Sequence, residues 1–256
     1  MSSFRSPLSR FSLKAKISIA VIPLALATMF FAFERFQSDR ERASDAGQTE
    51  QMAEFSVAVS SLAHEVQRER AFSTLFVGSK GASFGNELKE QRELTDERLA
   101  SYEQFREEFD PASYGPAYVE AARGIEDKFI PGLMDTRRKV DTLAIAPAEV
   151  ATTFTSLIAI TLQGVAPMAG RTTDAELARQ ATIYTNFLWA KELTGQERAT
   201  LNAALSRGTF NAGEFQKWVT LTSGQDIRML VVESLARDEE MKAINDQVSG
   251  PAVEAV

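Results

Sequence analysis

Apolar residues recur every three or four positions through most of the chain, and the exceptions cluster at a few glycine- and proline-bearing breaks. That period is the mark of amphipathic helices. Phe55, Val59, Leu62, Val66, Phe76 and Val77 share a stripe roughly 100° wide on a helical wheel. They predict one long helix that continues from an apolar N-terminal run to about residue 77 and stops at Gly78-Ser79-Lys80-Gly81, where two glycines suit a left-handed turn. A second helix is predicted over 84–108 and a third over 117–143, kinked at Pro131, with Asp110-Pro111 and Gly115-Pro116 bracketing the loop between them. Pro147 with Glu149 opens a fourth. The Thr- and Ile-rich stretch 151–162 could be a strand, but its flanks favour helix. A loop is expected over 164–170. Thr173 with Glu176 and Asn211 with Glu214 fit capping boxes that open two further helices, to about 206 and 245. Six helices after the apolar run, joined by short breaks, describe an all-α antiparallel up-and-down bundle.

The apolar run covers 17–33, about 25 Å of helix. It follows Arg5, Arg10, Lys14 and Lys16, with no acid among the first 33 residues. By the positive-inside rule this is a single transmembrane anchor at 17–33, with 1–16 cytoplasmic, a helical domain at 34–246 periplasmic or extracellular, and a tail at 247–256. A bacterial inner membrane is the expected location. Ala25-Leu26-Ala27 has the form of a signal-peptidase site, but the apolar run continues past it.

The chain has 256 residues and a net charge of −7; removing the four positive charges that precede the run leaves −11 beyond it. So acidic a surface argues against a nucleic-acid partner. There is no cysteine and one histidine, His64, so neither a thiolate nor a histidine-cluster metal site can form, and no cofactor is implied. Pairs such as Glu107-Glu108 and Glu239-Glu240 suit solvated faces. No nucleophile, base and orienting group converge, so an enzyme is not expected. His64 lies off the apolar stripe and is expected to be an exposed or packed histidine, with a pH-sensing role as the alternative.

Against this background one phrase stands out. Gln67-Arg68-Glu69-Arg70-Ala71 is echoed by Gln196-Glu197-Arg198-Ala199. On their wheels Arg70 flanks its apolar stripe, Arg198 falls within its own with Lys191 beside it, and Arg68 points to the opposite side. Glu69 and Glu197 are expected to point elsewhere. A guanidinium on a buried face is costly unless something negative meets it. Two of them, on two helices, suggest one shared anion, since the planar guanidinium fork matches planar oxyanions. The candidate ligand-binding residues are Arg70, Arg198, Arg68 and Lys191, with Arg198 the most deeply placed. The alternative is a structural or protein-binding bundle in which the arginines bridge to internal carboxylates, Asp226 being the partner for Arg198. A similar sensor bundle for another small ligand is the third possibility.

At these residues the sequence resembles the nitrate- and nitrite-sensing (NIT) domain of bacterial chemoreceptors, histidine kinases and antitermination regulators. The resemblance runs through Leu62-Ala63-His64-Glu65-Val66-Gln67-Arg68-Glu69-Arg70, Ser73, Gly78-Ser79-Lys80-Gly81, Gln91-Arg92 and Thr95-Asp96. It resumes at Ala190-Lys191-Glu192, Gly195, Glu197-Arg198, Gly208-x-Phe210 and Gln225-Asp226, and covers about residues 50 to 240. It implies two packed four-helix-type bundles that hold nitrate or nitrite between arginines of different helices. Arg70 and Arg198 match the two arginine motifs, and Arg68 matches the basic position before the first. Ala71 stands where the family usually has glycine, and the signalling modules usual in the family do not follow. The function these features predict is a membrane-anchored extracytoplasmic sensor that signals by helix displacement, as a homodimer paired along the long first helix.

Overall fold

A computed structural model of the protein describes residues 13–166 and 175–248; side chains are described over 49–166 and 175–246 apart from Ser206, and at scattered positions before that. Every regular element among the described residues is a helix. Two units separate, Met1–Glu50 and Gln51–Val256. In the first, the backbone from Leu13 onward belongs to helix α1, and Met29 and Phe31 are exposed. The remaining side chains of the 17–33 run, and Thr173 of the first capping box, lie outside the described residues.

Helix α1 spans Leu13–Gly78, and its second half is the spine of the larger unit. Phe55, Val59, Leu62 and Val66 are fully buried. Its end is the expected glycine turn, with Lys80 and Gly81 both at positive φ. Helix α2, Gly85–Glu108, returns alongside α1. Tyr102, Phe105 and Phe109 meet Phe55 near one end, while Gln91 reaches Glu65 towards the other, so the two helices run antiparallel. A 3₁₀ turn at Pro111–Tyr114 follows, its first turn closed by the Asp110 side chain accepting from the Ala112 N–H. Tyr114 and Tyr118 complete an aromatic cluster with Phe109 and Phe55.

The predicted third helix is built from three pieces: α3 (Pro116–Arg123), a π-helical turn (Gly124–Phe129) and α4 (Ile130–Asp141). The expected kink at Pro131 is therefore a widened turn. Proline donates no N–H, and its ring crowds the carbonyl four residues back. At the end of the turn Ile130 donates five residues back, to Ile125. Helix α5, Pro147–Val165, resolves the strand-or-helix question in favour of helix. By length and composition it could cross a membrane, yet Val150, Phe154, Leu157, Ile158 and Leu162 are buried in the core, beside α3 and α4. Gly164, expected in a loop, sits in α5, where a Cβ would lie 3.3 Å from Val59; the glycine permits the close approach of α5 to α1.

Helix α6, Ala175–Arg207, packs along α1 through Ser60–Tyr184 at one level and Arg70–Glu192 further on, so these two run parallel. Helix α7, Glu214–Leu235, folds back on α6, with Asn186 held by Arg228 and Glu197 by Trp218. The second capping box forms in part: Asn211 N–H donates to Glu214. The predicted last helix breaks at Ala236, which is extended, and resumes as α8, Asp238–Val248. Arg179 of α6 ties α8 down through two hydrogen bonds to Glu240.

Candidate functional site: a two-way ionic clasp on α1

Glu69 and Arg70 are chain neighbours whose side chains leave α1 in different directions. Glu69 is completely buried. It accepts two 2.8 Å hydrogen bonds from the Arg137 guanidinium of α4, in a fork-to-fork pair. Arg92 of α2 lies 3.6 Å from the same carboxylate and also bonds Asp141. Arg137 reaches Asp96 as well, at 2.6 Å. Burial works against the charge on Arg137, but its hydrogen bonds to Glu69 and Asp96 outweigh that and raise its pKa above the usual guanidinium value. One buried acid thus joins α1, α2 and α4. It is the expected apolar stripe that locates Glu69: it stands seven positions from Leu62, as Leu62 does from Phe55. Glu69 therefore points elsewhere than Arg70, as expected, and the direction it takes is along the stripe itself.

Arg70 takes the opposite role. Its side chain is 11% exposed and that of Glu192 on α6 is 1% exposed. Nη1 bonds one Glu192 oxygen at 2.5 Å, and Nη2 lies 3.2 Å from the other. Nη1 also donates to Thr155 of α5 at 2.9 Å. Glu192 is further held by Gln67 and Gln196, each donating at 2.9 Å. Gly195 lines the same spot: a Cβ there would stand 3.1 Å from Arg70 Nη2. A planar cation is therefore buried at a three-helix junction with its fork filled by an internal carboxylate. The sequence placed Arg70 at such a site; it did not find Glu192, which lies opposite the α6 stripe and is buried because α6 packs on more than one side.

The other candidates are not brought to Arg70. Arg198, expected to be the deepest cation, is exposed and makes no ion pair among the described residues. The stripe it shares with Leu201 and Leu205 faces outward near the end of α6, where Leu205 is 68% exposed. Asp226 is exposed too and is not its partner. The acid of the second phrase, Glu197, is engaged instead: it accepts from Trp218 Nε1 at 3.1 Å and Gln225 Nε2 at 2.6 Å on α7. Arg68 is exposed and pairs with Glu65 at 3.2 Å.

Lys191 donates a 2.7 Å hydrogen bond to His64 Nδ1, beside a cleft of about 340 Å³. The cleft lies between α1, α2 and α6, with Arg98 and Tyr184 on its walls. His64 exposes part of its ring and packs the rest. The packed remainder of the ring, and then the Lys191 charge, hold its pKa below the usual imidazole value. Burial likewise lowers the pKa of Lys191. Among the described residues no group of three or more acids and histidines is placed to hold a metal ion.

A family model described as nitrate and nitrite sensing matches residues 61–256. The nitrate regulatory protein of Klebsiella oxytoca is 26% identical over 189 residues, 74% of this chain and 47% of that protein. The chain thus spans about half the length of that curated relative. The structure of the NasR transcription antiterminator shares the fold, with a TM-score of 0.76 and 24% identity over 90% of this chain and 61% of that one. A regulatory protein and a transcription antiterminator overturn the expectation of a membrane-anchored extracytoplasmic sensor, with its periplasmic or extracellular location and chemoreceptor character. They also remove the ground for excluding nucleic acid as a partner class. Net surface charge governs non-specific attraction and says nothing of what neighbouring segments bind.

Proposed function

We propose that this chain, which belongs to the nitrate and nitrite sensing family, is the ligand-responsive part of a nitrate regulator and binds nitrate or nitrite at the Arg70 fork in exchange for Glu192. What carries this reading is the buried Arg70–Glu192 pair, set within the first arginine motif at the junction of α1, α5 and α6. A carboxylate and a nitrate ion are both planar anions that offer two oxygens to a guanidinium. Glu192 therefore occupies the fork as a built-in competitor. Exchange moves a negative side chain off α1 and loosens the α1–α6 contact, while Glu69 keeps α1 fixed to α4. Arg198, less than two turns beyond Glu192 on the same helix, is the second cation we assign to the bound state, reached by a turn of α6.

The sensing domain is taken as 34–246, arranged as two bundles that share α1: one with α2 to α5, the other with α6 to α8. The output is regulatory, as the name of the Klebsiella relative has it. Titration calorimetry of the full chain with sodium nitrate, against sodium chloride at equal ionic strength, tests the reading. Saturable nitrate binding that disappears in Arg70→Ala is expected. Binding unaltered by Arg70→Ala would place the ligand elsewhere.

A further inference from the structure

The Arg98–Lys191 cleft is not used by the clasp. Its walls come from three helices, and its polar groups are predominantly hydrogen-bond donors. Arg98 of α2 makes no ion pair among the described residues. Lys191 of α6 spends one of its three protons on His64 Nδ1 and keeps two. Because that nitrogen accepts, the imidazole is neutral and carries its proton on Nε2, a further donor. The one acid on the wall, Glu65, is already engaged by Gln91 at 2.7 Å and Arg68 at 3.2 Å. Two uncommitted positive charges thus face a space whose only negative charge is neutralised by its neighbours.

We propose that this cleft is a second anion site, taking a small organic dicarboxylate. At about 340 Å³ it falls within the range of small-molecule pockets and is far larger than a four-atom ion such as nitrate needs. Cations on two different helices suit two separated carboxylates. Arg98 offers the planar fork that matches one carboxylate, and Lys191 is the point charge for the other. Leu188 supplies an apolar wall for the carbon chain between them. The site is independent of the Arg70 fork, but the two are adjacent in the chain: Lys191 precedes Glu192, and His64 lies one turn before Gln67, which holds Glu192.

The test is thermal denaturation of the full chain titrated with succinate and malate, with sodium chloride matched for ionic strength. A saturable upward shift is expected, weakened roughly 10-fold or more in apparent affinity by Arg98→Ala and by Lys191→Met, each of which removes a charge-assisted contact. Arg70→Ala should retain the dicarboxylate shift while losing any response to nitrate. A shift no larger than that of chloride, or one unchanged in both cleft variants, overturns the proposal. So does loss of the dicarboxylate response in Arg70→Ala, which would make the two sites one. A dicarboxylate response in a chain indifferent to nitrate would sink the exchange at Arg70 and leave this site standing.

Discussion

Glu192→Gln separates a built-in competitor from a purely structural ion pair. In the native chain the Glu192 carboxylate receives both Nη groups of Arg70, along with Gln67 and Gln196. An amide of the same shape accepts one bond from Arg70 and turns an N–H toward the other Nη. At least one charge-assisted bond is lost, worth about 1.5–3 kcal/mol. The free variant is destabilised by that amount, roughly 3–12 °C in melting temperature for a domain of this size. If nitrate competes with Glu192, the same energy is returned on binding, and nitrate affinity rises roughly 10–150-fold, at about 1.4 kcal/mol per tenfold. Calorimetry and melting curves across a nitrate titration measure both halves. The variant should begin less stable than the native protein and close the gap as nitrate saturates. Nitrate binding no tighter than in the native chain would refute the exchange and leave Arg70–Glu192 as a structural bridge alone.

Arg137→Ala strands the fully buried Glu69 carboxylate and should cost about 3–5 kcal/mol by urea denaturation, without altering nitrate affinity beyond what destabilisation explains. Gly195→Ala places a methyl 3.1 Å from Arg70 Nη2. The gain in helix propensity, at most about 1 kcal/mol, should leave stability near native while nitrate binding falls, as calorimetry would show. Because His64 has its folded pKa lowered beneath 6.5, the unfolded chain takes up the proton first. Stability should therefore fall as pH drops from 6.5 toward the folded value and level off below it. His64→Gln should flatten that slope in chemical denaturation at a series of pH values.

The helices and their punctuation were legible in the sequence because glycine, proline and periodicity act locally. Gly78 and Gly81 end α1, and Pro147 opens α5. The clasp was legible in part. A wheel ranks the faces of one helix but does not say how many neighbours that helix has. Arg198 sits in the apolar stripe of α6 and is exposed, while Glu192 lies opposite that stripe and is 1% exposed. Glu192 is buried because α6 lies between α1 and α7 and packs on two sides, whereas Arg198 is exposed because the stripe faces outward near the end of α6, where Leu205 is 68% exposed. Glu69 was legible by register alone: it stands in heptad register with Phe55 and Leu62, and an acid there signals a buried cation arriving from another helix.

The widened turn at Gly124–Phe129 constrains how this chain can vary in length. A π turn holds more residues than an α turn, so the stretch behaves as an insertion absorbed into a continuous helix. Deleting one residue there would restore ordinary i to i−4 bonding, but it would also turn everything downstream by about 100° and shift it by about 1.5 Å. Arg137 lies on that downstream stretch, and the rotation would swing it off Glu69. The surplus residue is thus locked in by an ion pair two turns away. Insertions and deletions between 124 and 137 should be tolerated only in compensating pairs.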